Sequence, residues 1–255
     1  MDNALKKKEN RTTAIVLAAG SGKRMQSNVA KQFLPIGGKP VLCYSLEAFE
    51  QSDYVDEIIL VAGADGLKTC EEIVERYGYT KVSAIVLGGK ERYHSVWNGL
   101  CAAGAEEDST EVNPPKYVLI HDGARPFVTE AIIQRNIEAL ENDKACVTAV
   151  RSKDTVKIAD ENGYVVSTPN RSFVWNMQTP QSFDFTLVYE AYRKLIQEEE
   201  NVKAKGIVIT DDAMVVETFT GVRVKLIEGS YENIKITTPE DLAYAEGLLG
   251  TKGEV

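Results

Sequence analysis

The chain has 255 residues, with 29 Lys and Arg against 38 Asp and Glu, 44% hydrophobic and 26% charged residues, and 8 Pro. That is a globular composition rather than a disordered, collagenous or disulfide-stapled one, and the length can bury a core without metal or disulfide help. A formal net charge of -9 argues against a general nucleic-acid or acidic-membrane binder, because the summed field repels phosphates. Cys43, Cys70, Cys101 and Cys146 form no CxxC pair, and with only two histidines to join them they read as small apolar residues in a reducing compartment. The basic start Lys6-Lys7-Lys8 has no apolar core after it of the kind a signal peptide needs, and no stretch approaches the about 20 apolar residues of a membrane span. A cytoplasmic protein is expected.

In chain order, strand-length apolar runs occur at Ala14 to Leu17, Ile58 to Val61, Ala84 to Leu87, Val118 to Ile120 and Cys146 to Val150. Near-continuous apolar strands mean burial on both faces, the mark of a parallel sheet. Between them lie segments of helical period: Val96, Leu100 and Ala103 share one face, and Ile133, Ile137 and Leu140 another, with Thr129 as N-cap. The alternation predicts an α/β fold with a doubly wound, mostly parallel sheet. After Val150 the rhythm breaks. Thr155 to Ile158 and Tyr164 to Ser167 form β-like stretches around Asn162-Gly163, which predicts a protruding hairpin arm at about 152–176. Helical period returns at Leu187, Ala191 and Leu195 and ends in Glu198-Glu199-Glu200, a solvated run. Val222, Val224 and Leu226 alternate with Arg223 and Lys225 as a half-exposed strand, and Thr238-Pro239-Glu240-Asp241 opens a helix. One domain over 12–250 with a flexible tail at 1–11 is the economical organisation.

The segment richest in chemistry is Leu17-Ala18-Ala19-Gly20-Ser21-Gly22-Lys23-Arg24-Met25, directly after the first strand. Small residues there let backbone amides approach an anion, although a tight βα turn would use the same residues. A P-loop is excluded because Leu17 stands at its first glycine and Arg24 at its hydroxyl position; the dinucleotide fingerprint fails because Met25 stands at its third glycine. Arg24 and Lys31 flank the loop. Two cations beside a strand-end glycine loop suit a triphosphate, whereas a lone pair of this kind would pass as surface charge.

Ala18-Ala19-Gly20-x-Gly22-x-Arg24-Met25, Lys31-Gln32-Phe33, Gly88-Gly89-x-x-Arg92-x-x-Ser95-Val96, His121-Asp122-Gly123-Ala124-Arg125-Pro126, Lys153 to Lys157, Gln178 to Phe183, Thr210-Asp211-Asp212 and Asn233 to Thr237 follow one another in this order. This series, over nearly the whole chain, resembles the 2-C-methyl-D-erythritol 4-phosphate cytidylyltransferase family. The resemblance implies a Rossmann-like nucleotidyltransferase that joins CTP to a polyol phosphate and releases pyrophosphate. It implies Arg24 and Lys31 at the triphosphate, and Arg171 and Lys235 as the cations that position the methylerythritol phosphate. It also implies nucleotide contacts from Ala18, Ala19, Gly20, Gly22, Gly89, Ser95 and Asp122, and polyol contacts from Asp122, Arg125, Thr155 and Thr210. In the family the arm crosses a homodimer, so Arg171 would serve the partner's site. Mg2+ is implied, held mainly by nucleotide phosphates, with no dedicated protein metal site.

Three departures from the family pattern stand out: Ala30 and Val150 where proline is common, and Lys90 where an acid is frequent. Alternatives are the sister ribitol 5-phosphate cytidylyltransferase and a nucleotide-binding module that has lost catalysis. His121-Asp122 as a catalytic dyad is the weaker option, since no serine-hydrolase motif accompanies it.

Overall fold

A computed structural model describes residues 11–20, 29–104 and 114–252. Gly22, Arg24 and all but the last residue of the expected N-terminal tail lie outside them.

The strands are β1 (Thr12–Ala18), β2 (Pro35–Ile36), β3 (Lys39–Pro40), β4 (Glu57–Ala62), β5 (Val82–Leu87), β6 (Tyr117–Asp122), β7 (Ala145–Arg151), β8 (Ile158–Ala159), β9 (Val165–Ser167), β10 (Trp175–Asp184) and β11 (Lys225–Glu228). The helices are α1 (Val41–Gln51), α2 (Leu67–Tyr77), α3 (Arg92–Gly104), α4 (Glu130–Leu140), α5 (Phe185–Gln197), α6 (Glu199–Ala204), α7 (Asp212–Thr220) and α8 (Pro239–Lys252). Seven strands form the main sheet in the order β11, β7, β10, β6, β1, β4, β5. All its pairings are parallel except those of β10, which runs antiparallel to both β6 and β7.

Helices cover both faces because the central strands are apolar on both. Ala14, Val16, Ile58 and Leu60 pack with α1, α2 and α4 on one side. Ile15, Ile59 and Val61 pack with α3, α5 and α7 on the other. At Gly99 an added Cβ would stand 2.6 Å from Ile15 Cγ2, so glycine is what lets α3 press onto β1. From β1 the chain runs outward to β4 and β5, then returns to β6 on the far side of β1. The two sides part between β1 and β6, the switch point at which open sheets form a crevice. Register brings Leu17 opposite Asp122, Ala18 opposite Ala62 and Ala62 opposite Leu87, so the loops after these four strands meet at one end.

The five expected core strands and the doubly wound sheet agree with the structure. Other expectations change. The arm pairs only Ile158–Ala159 with Val165–Ser167, and Thr155 to Lys157 stay outside the strand. Its turn is made by Gly163 at φ 83 and by Asp160 Oδ1, which accepts from the amides of Asn162 and Tyr164. β11 begins at Lys225 and buries Ile227 while Leu226 is exposed, the opposite parity to the expected one; Val222 and Val224 instead pack as irregular chain against the core. Thr129 stands at the N-cap of α4, but its carbonyl rather than its hydroxyl accepts from the first turn. Glu198 to Glu200 are not one solvated run: Glu199 opens α6 and is turned inward. β10 carries no apolar signal, because Gln178, Thr179, Gln181 and Ser182 are buried polar residues of a central strand. Their partners come from distant segments: Gln178 Nε2 donates to Ser230 O, Gln181 Oε1 accepts from the Ala213 amide, and Ser182 donates to Asn136. The thiols of Cys70 and Cys146 are pushed by burial to about 12, so they behave as core residues.

Candidate active site

At the carboxyl ends of β1, β5 and β6 lies a cavity of about 360 Å3 lined by Ala19, Gly20, Lys31, Gln32, Gly89, Lys90, Arg92, Ser95, Asp122 and Lys235 among others. A second hollow of about 580 Å3 adjoins it across Ala19, Gly20 and Gly89 and is bounded by Ala18, Phe33 and Gly63 to Gly66.

The glycine loop is held from below. Gln32, nearly fully buried, donates from Nε2 to the carbonyls of Ala18 and Gly20 and so pins the end of β1. The opposite lip is Gly88-Gly89. A Cβ on Gly88 would lie 2.5 Å from Ala19 Cβ and 2.8 Å from Ser95 Oγ, and one on Gly89 would lie 2.2 Å from His94 Cβ. Both positions therefore require glycine, and the backbone itself forms the wall. The Gly89 amide donates to Ser95 Oγ at 3.1 Å, so Ser95 shapes this wall rather than facing the cavity alone.

Asp122 ends β6 at the floor of the cavity. Lys235 Nζ stands 2.8 Å from Oδ2, Arg92 Nε 3.4 Å from Oδ1 and Arg125 Nε 3.9 Å from Oδ2. Burial opposes the carboxylate charge, but Arg92, Lys235 and Arg125 together outweigh it and hold the Asp122 pKa far below the usual range. The three cations differ in freedom. Arg92 donates through both terminal nitrogens to Asp212, at 2.7 and 2.8 Å, and the fully buried Asp212 also accepts from Tyr192. Burial lowers the Arg92 pKa, but Asp212 and then Asp122 reverse that and raise it. Arg125 gives its Nη atoms to the carbonyls of Asn233 and Met177, and its buried Nε has no hydrogen-bond partner among the described residues. Burial lowers its pKa. Lys235, partly exposed and without a second bond among those described, is the cation of the three best able to meet a ligand.

His121 is not a dyad member. It is fully buried, with Phe49 at its edge, and burial pulls its pKa down to about 4. The Arg125 carbonyl can only accept, so His121 Nε2–H donates to it, Nδ1 accepts from the Thr179 hydroxyl, and Thr179 Oγ1 in turn accepts from the Asp122 amide. A neutral imidazole thus braces the 122–125 turn.

Of the expected site residues, Ala19, Gly20, Lys31, Gly89, Ser95, Asp122 and Lys235 line the cavity, with Ala18 in the adjoining hollow. Arg125 lies behind Asp122 as a brace. Arg171 is elsewhere: exposed on the arm, it donates to Lys153 O and borders a groove of about 530 Å3 with Arg151, Ser152, Lys153 and Ser172. Thr155 is exposed at the arm's base, and Thr210 precedes α7; neither lines the cavity within one chain. Sequence reasoning assigned no role to Arg92, Asp212, Tyr192 or Gln32. Arg92, Gln32 and Asp212 stood inside motif blocks, which was the available signal; Tyr192 stood in a helical apolar face and gave none.

The family model described as IspD, 2-C-methyl-D-erythritol 4-phosphate cytidylyltransferase, matches residues 12–251. Relatives bearing that name include one from Lachnoclostridium phytofermentans, 48% identical over 240 residues that cover 94% of this chain and 96% of the relative. Another, from Clostridium botulinum, is 46% identical over 240 residues, covering 94% and 98%. Among solved structures, the 4-diphosphocytidyl-2C-methyl-D-erythritol synthase of Anaerococcus prevotii superposes with a TM-score of 0.79 at 38% identity, covering 95% of this chain and 97% of that one. The Francisella tularensis 2-C-methyl-D-erythritol 4-phosphate cytidylyltransferase does so with a TM-score of 0.72 at 30% identity, covering 93% and 99%. By sequence over nearly its full length and by fold, this chain belongs to the 2-C-methyl-D-erythritol 4-phosphate cytidylyltransferase family.

Proposed function

We propose that this chain transfers the cytidylyl group of CTP to 2-C-methyl-D-erythritol 4-phosphate, giving the CDP-polyol and pyrophosphate in non-mevalonate isoprenoid biosynthesis. The observation that carries this is the convergence of Lys31, Lys235, the Gly20 and Gly89 backbone and buried Asp122 on one cavity, in a chain of this family. An oxygen of the polyol phosphate attacks the α-phosphorus in line. The new P–O bond forms as the bond to the bridging oxygen of the departing pyrophosphate breaks, so no protein nucleophile is needed. Two anions must be brought together and charge on the five-coordinate phosphorus stabilised, which is work for positioned cations and backbone amides.

Lys31, with Arg24 from the loop outside the described residues, is assigned to the triphosphate. Lys235 is assigned to the polyol phosphate, and Asp122 holds Lys235 until that phosphate arrives. The backbone of Gly89, shaped by Ser95, is assigned to the nucleotide. A protomer brings no second cation of its own to the polyol phosphate from the arm, since Arg171 stands outside the cavity. The exposed apolar arm, with Tyr164 at 74% and Phe173 at 82% exposure, supports a homodimer in which Arg171 and Thr155 reach the partner's site. Thr210 is assigned to the polyol, as a hydroxyl beside the α7 N-terminus.

The donor set fits Mg2+ carried by the nucleotide. Asp122 and Glu91 are the cavity's carboxylates, and among the described residues no three His, Cys, Asp or Glu side chains gather into a cage. Asp122 is the side chain that would meet the ion, which supplies neutralisation of phosphate charge. No helix among the described residues is long and apolar enough to cross a membrane, and the cytoplasm, where CTP is available, is the proposed location. Incubation with CTP, Mg2+ and the methylerythritol phosphate tests the reading: one pyrophosphate per CDP-polyol is expected, and no release from folded protein would overturn it.

A further inference from the structure

We infer that Glu199 is a positioning residue for nucleotide binding, acting through His94 to hold the backbone of Gly89, Lys90 and Glu91 in the form that lines the cavity. The inference rests on the nucleotide reading of that cavity.

The 89–91 segment is a thin wall. Glu91 borders the nucleotide cavity on one side and, on the other, a separate hollow of about 210 Å3 between α3, α5 and α6, bordered by Tyr93, Glu199 and Lys203. At Glu91, with a hollow on each side, hydrogen bonds help to fix the backbone. Consecutive side chains in the first turn of α3 supply them. The Gly89 amide donates to Ser95 Oγ at 3.1 Å, and the Glu91 amide donates to His94 Nδ1 at 3.2 Å. His94 also presses on the segment, since its Cβ lies where a Gly89 side chain would begin.

An imidazole accepts at Nδ1 only when its proton is on Nε2. His94 Nε2 lies 3.1 Å from Glu199 Oε2, so the carboxylate takes the Nε2–H and selects the tautomer whose Nδ1 can hold Glu91. Glu199 is itself fixed: Lys203 Nζ lies 2.6 Å and the Tyr93 hydroxyl 2.7 Å from Oε1. Those two partners, Lys203 first, bring its pKa to about 2, so it accepts throughout the neutral range. Its neighbours Glu198 and Glu200 are exposed, whereas Glu199 is turned toward α3. The chain is Glu199 to His94 to the Glu91 amide, and it ends on the cavity wall.

The test is CTP affinity by titration calorimetry for wild type, Glu199→Ala, His94→Ala and the double variant, with the polyol phosphate KM measured at saturating CTP. Glu199→Ala is expected to weaken CTP binding about tenfold, with the polyol phosphate KM within about twofold of wild type. In the His94→Ala background the same change is expected to add nothing, because residues acting in series do not add. His94→Asn, whose carbonyl can accept the Glu91 amide, should recover most of the affinity with or without Glu199. Unchanged CTP affinity in Glu199→Ala, or penalties that add in the double variant, would overturn the inference. A wild-type protein that binds no CTP would overturn the nucleotide reading itself and the inference with it.

Discussion

Around Asp122 three cations share one carboxylate, and their other bonds decide what each can do. Arg92 is committed to Asp212 and Arg125 to two backbone carbonyls, so Lys235 alone of the three can turn from Asp122 to a phosphate without breaking a second contact among those described. Lys235→Ala is therefore expected to lower kcat/KM by about 10²- to 10³-fold, the size of losing one transition-state donor, with a modest fall in unfolding temperature because Asp122 keeps Arg92 and Arg125. Equal activity in the variant, measured by pyrophosphate release, would remove Lys235 from the chemistry. His121 gives a pH prediction. Its folded pKa of about 4 lies below the unfolded value of about 6.5, so the unfolded chain takes up the proton first. Stability is then highest above about pH 6.5 and falls as pH drops toward 4, by about 1.6 kcal/mol between pH 6.5 and 5. Denaturant unfolding at those two pH values checks this, and His121→Gln should lack the slope. Asp122 has the same direction of dependence in a lower window: its depressed pKa stabilises the fold above the usual carboxylate range, and that contribution goes only as the solution becomes strongly acidic. The residues of this cluster were legible as a motif, but their division of labour was not. Nothing local says that Arg92 belongs to Asp212 while Lys235 remains available, because those bonds join segments 120 residues apart.

The elements that build the site are legible in proportion to how local their causes are. β1, β4, β5, β6 and β7 announce themselves as apolar runs, and Pro239 and Asp241 mark the start of α8, where Asp241 accepts from the amides of Thr237 and Thr238. β10 does not, because its buried glutamines, threonine and serine are paid for by partners far away in sequence, and hydrophobic pattern cannot register them. Glu199 was hidden for the same reason: only the fold brings α6 against the start of α3. The two glycine lips of the cavity differ in how closely they are packed. Gly88→Ala must push the end of β1 from the end of β5, since its Cβ would meet Ala19 Cβ and Ser95 Oγ inside contact distance, at an expected cost of about 1 to 3 kcal/mol and weaker CTP binding. Gly20→Ala would meet none of the described residues within 4 Å and should leave stability within about 0.5 kcal/mol. Denaturation curves of the two variants distinguish a packed lip from an open one; equal stabilities would contradict the geometry.

For the whole molecule, the formal charge of -9 conceals a local inversion. Lys31 and Lys235 face one cavity, Arg171, Arg151 and Lys153 border a groove at the base of the arm, and acidic surface elsewhere leaves these the natural places for anions. A second protomer would join the two in the homodimer proposed above. If the arm crosses over, Lys31→Ala and Arg171→Ala chains are each inactive alone, while every mixed dimer holds one intact site. An equimolar mixture after verified exchange should then recover about a quarter of wild-type activity, since half the dimers are mixed and each has one working site. An inactive mixture would place Arg171 in its own chain's chemistry, and an Arg171→Ala chain active alone would place it outside the chemistry. The central claim is tested most directly by a competition: CTP, Mg2+ and equal concentrations of 2-C-methyl-D-erythritol 4-phosphate and ribitol 5-phosphate, followed by 31P NMR. CDP-methylerythritol is the expected product, matched by pyrophosphate. CDP-ribitol as the sole product would contradict the claim.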